Sequence, residues 1–455
     1  MTDIIDRTIV GNSFRALGRD HRTGARIGQS WANISPMPSH AAPSTSLLSP
    51  LFPVSANEPP PLAWEAALLD ALAALLVGRA AAAARRCRRA LLSGSDRKES
   101  ARRAAALTLW RGAAALGHPL QLGAVTVFLC YAPGADSVHL AGDFTHWLQG
   151  GLNLWPLRSC PMFALAMPAI DRGQYKLIVN HSWRFDEANG LLQPDGFGGY
   201  NSVIDPVLRG RVLAHPRFHS RALRNRRSIY LYLPPSYFTD SAATRYPCVY
   251  ILDAHENLGR ANLPSVFDAD IAAQVLPPFI AVFVEHLRRR RGDEFTPFFE
   301  RGRHGGFLKL LSDELVPWVD HHLRTRPHRD RRVIVGQSFG GTAVVSILAT
   351  LPELFRNGVA LSPVVLWSHH HHRHQVLPRR LSGDARWYVA CVGNKEERPH
   401  ARELVARLRQ AGANPVFHDT VASHEYEAWV PHVRAGLSHV LGMRGADGTM
   451  SLAGA

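Results

Sequence analysis

Arg332-Val333-Ile334-Val335-Gly336-Gln337-Ser338-Phe339-Gly340-Gly341-Thr342 is the stretch that decides the fold. Val333-Ile334-Val335 is a short β-branched run, and the residues from Thr342 to Leu351 read as a helix. A G-x-S-x-G turn between a strand and a helix is the context of a nucleophile elbow. The motif alone occurs often by chance, so its specificity comes from that context. Glycines two residues either side of Ser338 let neighbouring backbone approach. They hold the serine at the end of the strand, beneath the helix, with the Phe339 N–H pointing into the site as an oxyanion donor.

Outward from the elbow, apolar runs at 227–234, 248–254, 279–285, 358–362, 387–393 and 415–420 read as strands. Helical patterns at 308–324, 341–351, 400–411 and 426–441 separate the later ones. Strands alternating with helices imply an α/β domain with a mostly parallel sheet covered on both faces. In such an elbow fold the serine is followed by an acid and then a histidine just beyond the last strand. His424, four residues past Thr420, is the expected base; His418 falls inside the strand and His432 inside the following helix. The acid belongs after the strand Trp387–Gly393, where Glu396 is favoured and Glu397 is the alternative. The second oxyanion amide belongs after the strand that ends at Leu252, on Ala254 or His255, with Asp253 read as a hydrogen-bonded loop anchor.

Towards the N-terminus the period changes. Residues 1–60 are rich in Ser, Pro, Asn and Gly and read as a disordered arm. Residues 61–120 carry two helical patterns, about 62–92 and 102–116, separated near Gly94. Residues 121–208 hold short β-branched and aromatic runs bounded by turns, which suggests a β-sandwich. Residues 209–455 form the α/β domain.

The chain carries 52 Lys+Arg against 37 Asp+Glu, a formal charge of +15, yet only four of the basic residues are lysine. The Arg and Ala excess fits a coding bias, and no nucleic-acid-binding signature accompanies it. The charge does favour anionic ligands through its long-range field. Five widely spaced cysteines with no C-x-x-C pair give neither a disulfide framework nor a zinc site. The first twenty residues lack an apolar core, and Asp70 and Arg79 interrupt the apolar stretch 66–84, so neither a secretory signal nor a membrane span is expected. The expectation is a cytoplasmic protein with no metal or organic cofactor.

Residues 225–440 resemble the esterase-D-type α/β-hydrolases, and among them the enterochelin (iron–siderophore) esterases. The resemblance rests on Leu252-Asp253-Ala254, on Arg291-Gly292-Asp293-Glu294-Phe295-Thr296-Pro297 and on the elbow. Leu361-Ser362-Pro363, Gly393–Glu396 and His424 with Trp429 complete it. Ala254 stands where that family has glycine. The resemblance implies a serine ester hydrolase acting on a ferric catecholate siderophore ester, with Arg291 in an Arg-rich approach suited to an anion. Residues 124–205 resemble the early-set, immunoglobulin-like sandwich of glycogen-binding modules, through Gly142-Asp143-Phe144-Thr145-His146-Trp147 and Tyr175-Lys176-Leu177-Ile178-Val179. That resemblance puts Trp147 and Trp183 in sugar-stacking positions and Lys176 and Asn201 in hydrogen-bonding ones. A scaffold or substrate-gating role, as in enterochelin-type esterases, is the competing expectation. A carbohydrate-ester esterase and a non-catalytic glycan-binding protein are the other functional readings.

Overall fold

The computed structural model describes residues 59–93, 98–148, 150–205, 208–287, 290–297, 303–369, 372–375, 383–393 and 398–442. Residues 1–58 of the expected arm and both candidate acids, Glu396 and Glu397, lie outside them.

The first helical pattern, expected to run unbroken to Leu92, is two helices: α1 (Leu62–Leu75) and α2 (Gly78–Ser93). Leu76 turns extended, with ψ 160°, and Gly78 adopts φ +56°, a left-handed conformation that glycine takes without steric cost. Asp70 on α1 pairs with Arg88 on α2, consistent with the chain doubling back. The third helix, α3 (Glu99–Ala114), lies so close to α2 that a Cβ on Gly112 would sit 2.4 Å from the Ala80 Cβ. Trp64, Leu68, Leu69 and Leu72 of α1 are buried, each worth about 1.5–3 kcal/mol relative to exposure. Polar ties fix these helices to the antiparallel strands and to the strand that carries Pro216. Glu65 accepts the Arg158 and Ser159 amides, the Trp110 indole N–H donates to Leu129 O, and the Arg111 guanidinium donates to Pro216 O and Arg217 O.

Nine antiparallel strands come next: β1 (Leu120–Leu122), β2 (Val125–Cys130), β3 (Val138–Gly142), β4 (Leu152–Pro156), β5 (Phe163–Pro168), β6 (Gly173–Val179), β7 (Ser182–Arg184), β8 (Leu192–Pro194) and β9 (Tyr200–Ile204). They pair in the order β1-β2-β5-β4-β3-β6-β9-β8, with β7 added to β6. The first half of β4 pairs with β3 and its last two residues with β5, so the sheet turns at this strand. Phe128 and Leu165 from one arm bury together with Tyr175, Leu177 and Ile204 from the other.

The third region contains β10 (Arg211–Ser220), β11 (Asn225–Leu233), β12 (Cys248–Leu252), β13 (Ile280–Val284), β14 (Arg332–Gln337), β15 (Asn357–Leu361), the hairpin β16 (Leu366–His369) and β17 (His372–Gln375), β18 (Arg386–Gly393) and β19 (Val416–Val421). Its helices are α4 (Ala254–Gly259), α5 (Leu263–Ala272), α6 (Arg291–Phe295), α7 (His304–Lys309), α8 (Val316–His322), α9 (Phe339–Thr350), α10 (Arg398–Gln410) and α11 (Tyr426–Leu441). The eight-stranded sheet runs β10-β11-β13-β12-β14-β15-β18-β19, parallel from β13 onward and antiparallel at the β10 and β11 edge. This is an α/β-hydrolase-like fold. Every residue of β12, β13, β14 and β15 is buried, as a sheet covered on both faces requires. Alternation along β12 splits it between two cores: Val249 and Ile251 on one face, Cys248, Tyr250 and Leu252 on the other.

β10, which carries Pro216, was not among the expected strands. A register shift between His215 and Phe218, with Arg217 at φ 58°, absorbs the proline as a bulge.

Candidate active site

Ser338 has φ 56° and ψ −121°, a region that a side-chain-bearing residue occupies only when its surroundings hold it there. Its N–H donates to Leu361 O at 2.8 Å and its carbonyl accepts the Thr342 N–H at 3.1 Å. The glycines are obligatory here. A Cβ on Gly336 would lie 2.3 Å from Gly340 O, and one on Gly341 would lie 2.8 Å from Leu361 O. Ser338 is half-buried at the C-terminal end of β14, and Phe339 opens α9.

β12 lies beside β14 with Ile251 paired to Val335. The strand ends at Leu252, and Asp253 and the helix that opens at Ala254 follow it. Asp253 is fully buried in the left-handed conformation, φ 57°, ψ 60°. The Arg291 Nε and Nη2 donate to its two carboxylate oxygens at 2.7 and 2.8 Å, and Nη2 also donates to Gln337 O at 3.1 Å. The Gln337 side-chain amide donates to Asn257 Oδ1 at 2.9 Å, while Asn257 Nδ2 donates to Leu252 O at 2.7 Å. The loop after β12 and the elbow are therefore knitted into one unit. Burial alone would raise the Asp253 carboxyl, but the Arg291 charge outweighs it and holds the group below its ordinary range.

Two expectations change at this point. Arg291, expected to receive an anionic ligand, has its guanidinium occupied by Asp253 and the elbow carbonyl and packed over Phe295 and Phe339. Of the two candidate oxyanion amides, that of His255 donates to Glu285 Oε2 at 2.9 Å, because β13 ends beside the loop and delivers a buried carboxylate to it. Ala254 is the amide that remains, and its methyl group is fully buried.

β18 and β19 pair so that Gly393 is level with Val421. The segments carrying the expected acid and the expected base thus leave the sheet side by side. Glu396 itself lies outside the described residues. His424 is exposed, its ring edge-on to Trp429 at 4.7 Å between centroids. The Trp429 indole N–H donates to Ser362 Oγ at 3.0 Å, and Ser362 Oγ donates to Val392 O at 2.7 Å. One hydroxyl at the end of β15 therefore joins the strand leading to the acid with the residue that supports the histidine. His432, the discarded candidate, is buried against the Tyr388 hydroxyl at 3.0 Å, and burial pushes it down to about 4.

Asn257, Gln337, Glu285, His286 and Ser362 escaped sequence reading as functional residues. Gln337 lay inside the elbow and Ser362 inside Leu361-Ser362-Pro363, but their side chains drew no role from the sequence, and nothing local marked the others; Asn257 and Gln337 meet across 80 residues.

The four residues expected to contact sugar come together in a second place. Trp147 and Trp183 stack with centroids 6.5 Å apart and planes at 28°. With Lys176 and Asn201 they line an open groove of about 630 Å³. Lys176 Nζ is paired with Asp195 Oδ2 at 2.5 Å and Asn201 Nδ2 donates to Gln174 at 2.8 Å, so both polar groups are held in place by neighbours. Phe197, 95% exposed on the same groove, was not anticipated; the signal was its glycine-flanked setting, Asp195-Gly196-Phe197-Gly198-Gly199.

No helix among the described residues is long and apolar enough to cross a membrane. The model of a family described as "Putative esterase" matches residues 220–439. Uncharacterized protein YbbA of Bacillus subtilis (strain 168) is 27% identical over 135 residues, 28% of this chain and 52% of that protein. The iron(III) enterobactin esterase of Dickeya dadantii (strain 3937) is 28% identical over 186 residues, 41% of this chain and 38% of that protein. The chain thus spans about half or less of the length of these two curated relatives. The enterobactin esterase FES from Shigella flexneri, solved in the presence of 2,3-di-hydroxy-N-benzoyl-glycine, aligns at 16% identity over 70% of this chain and 93% of that chain, with a TM-score of 0.43.

Proposed function

Residues 220–439 belong to the esterase family, and on that premise we propose that this chain is a serine carboxylic-ester hydrolase working through an acyl-enzyme. The observation that carries the reading is the strained Ser338 at φ 56° on its strand–turn–helix, with Arg291 tying Asp253, next to Ala254, to Gln337 O of the elbow. Ser338 Oγ attacks the ester carbonyl while His424 takes its proton. Negative charge develops on the carbonyl oxygen and is met by the Phe339 and Ala254 amides. The tetrahedral intermediate collapses, His424 returns the proton to the leaving alcohol, and water releases the acyl group by the same route. Glu396 orients His424 and stabilises its cationic form. Its position supports this role: Glu396 follows Gly393 by three residues, as His424 follows the paired Val421.

For the substrate, the relative from Dickeya dadantii, named an iron(III) enterobactin esterase, and the +15 charge of this chain both favour an anionic siderophore ester. In this reading the ferric ion belongs to the substrate. A second reading is favoured by the aromatic groove. We read residues 121–208 as an early-set sandwich, and its stacked Trp147 and Trp183 suit the apolar C–H faces of a sugar. The chain would then be an esterase of carbohydrate esters that holds glycan on this groove. A panel of linear and cyclic catechol esters beside acetylated and feruloylated sugars separates the two. In either case Ser338→Ala lowers kcat by about 10⁴–10⁶ without altering the melting curve. Retained turnover in that variant refutes the reading.

A further inference from the structure

Glu285 lies just past the end of β13, 5% exposed, with both carboxylate oxygens engaged. Oε2 accepts the His255 N–H at 2.9 Å and lies 3.2 Å from His255 Nδ1. Oε1 lies 2.8 Å from His286 Nδ1, and His286 Nε2 lies 3.6 Å from Asp253 Oδ1. Burial would raise the Glu285 carboxyl, but the two imidazoles outweigh it and keep the group below its usual range. The same contacts, working against burial, raise His286. An ionised carboxylate buried this deeply persists only where its charge and lone pairs are satisfied. Here the satisfying groups all belong to the loop that carries Ala254 or to its support.

The other side of that loop is closed by aromatic rings. His255 packs edge-on against Phe185 at 5.0 Å and lies 6.2 Å from Tyr200, both from the antiparallel sheet region. Its Nε2 lies 3.0 Å from the Tyr230 hydroxyl on β11. Gly259 at the end of α4 allows this closeness, since a Cβ there would lie 2.5 Å from the Tyr200 ring. His255 is thus clamped from two directions, and Ala254 is its covalent neighbour.

We propose that Glu285 is a positioning residue for the hydrolysis reaction: by holding the His255 amide and imidazole against the Phe185–Tyr200 wall, it aims the Ala254 N–H at the oxyanion. This rests on the reading of Ala254 as an oxyanion donor and of Ser338 as nucleophile. A backbone amide cannot choose its direction. Its orientation is set by the peptide planes on either side, and Asp253 on one side is fixed by Arg291 while His255 on the other is fixed by Glu285. Loss of an oxyanion donor typically lowers kcat about 10²–10³-fold. An amide misdirected by a fraction of an ångström loses part of that.

The test uses the full chain, a p-nitrophenyl ester and an aryl boronic acid, which forms a tetrahedral adduct on the serine. Glu285→Gln keeps one acceptor but loses the charge that orders both imidazoles. Glu285→Asp keeps the charge but draws the carboxylate back by one methylene. The expected result is a kcat lowered about 30- to 300-fold in the first and about tenfold in the second. KM stays within twofold, and boronate affinity falls in parallel with kcat/KM. A merely structural role would lower the melting temperature without this split between kcat and KM. If Glu285→Gln does not fold, Glu285→Asp carries the test. Wild-type kcat in a folded Glu285→Asp, or in a folded Glu285→Gln, overturns the proposal while Ser338→Ala remains inactive. Activity in Ser338→Ala instead overturns the hydrolase reading, and the positioning role with it.

Discussion

Replacing Arg291 by glutamine will invert the response of this protein to acid. Asp253 has none of its side chain exposed, whereas Arg291 keeps 22% of its own in contact with water. The two halves of the pair are therefore unequal hostages. Removing one partner of a buried pair costs about 3–5 kcal/mol, because the other is left charged and unpaired. For Asp253→Asn the abandoned guanidinium retains water and Gln337 O, which puts the loss below that range, at about 2–3 kcal/mol. For Arg291→Gln the abandoned carboxylate is sealed in, and the full range applies until the carboxylate takes up a proton. In the wild type the folded-state value of Asp253 lies below its ordinary 3.8, so its contribution is fully present above about 3.8 and fades as pH falls through the lower, folded value. In Arg291→Gln burial dominates, opposed chiefly by His286 at 3.6 Å and the Tyr426 hydroxyl. The folded-state value rises above the unfolded one, and stability now falls as pH increases through the range between them. Urea unfolding at pH 4, 5, 6 and 7 reads this directly. Relative to the wild type, the Arg291→Gln difference widens with pH, and the Asp253→Asn difference shrinks only below pH 4. A gap for Arg291→Gln that stays constant from pH 4 to 7 refutes the ion-pair argument.

Gly336→Ala drives a methyl group into Gly340 O, and the elbow must open to admit it; turnover falls at least about 100-fold while far-ultraviolet circular dichroism is unchanged. Glu396→Gln lowers kcat more than Glu397→Gln does, and the opposite ranking in steady-state kinetics moves the acid by one residue. Trp147→Ala and Trp183→Ala each weaken binding of a linear α-glucan about tenfold, near 1.4 kcal/mol, by isothermal titration calorimetry; absence of glucan binding in the wild type eliminates the carbohydrate reading of the groove.

The elbow was legible because its chemistry is local. Glycine at 336 and 341 is demanded by contacts within a few residues and across one strand, and the flanking hydrophobic pattern gives the strand and helix. The serine and the ordering of the later strands came from that. The brace beneath the site was not legible, because Asn257 meets Gln337 and Glu285 meets His255 only after β12, β13 and β14 have been laid side by side. A glutamate after a strand looks like any solvated loop charge until its burial is known. Arg291 shows the same limit from the other direction. Its place in a family-like motif was visible, but not that a buried aspartate 38 residues earlier claims its guanidinium. The misreading of 62–92 as one helix has a different origin. Ala and Arg propensities are strong enough throughout to hide the break, and only Gly78 marked it.

One apolar core passes without interruption from Trp64 and Leu109 in the helices, through Leu129 and Tyr200, to Ile251 of β12 and Val335 of β14. The regions that look like separate modules in sequence therefore share an interior. Excising residues 59–205 would expose His255 where Phe185 and Tyr200 pack on it, and excising the N-terminal helices would uncover Leu129 of β2. Any recombination that separated these regions would have to supply new cover for the apolar surface it exposed.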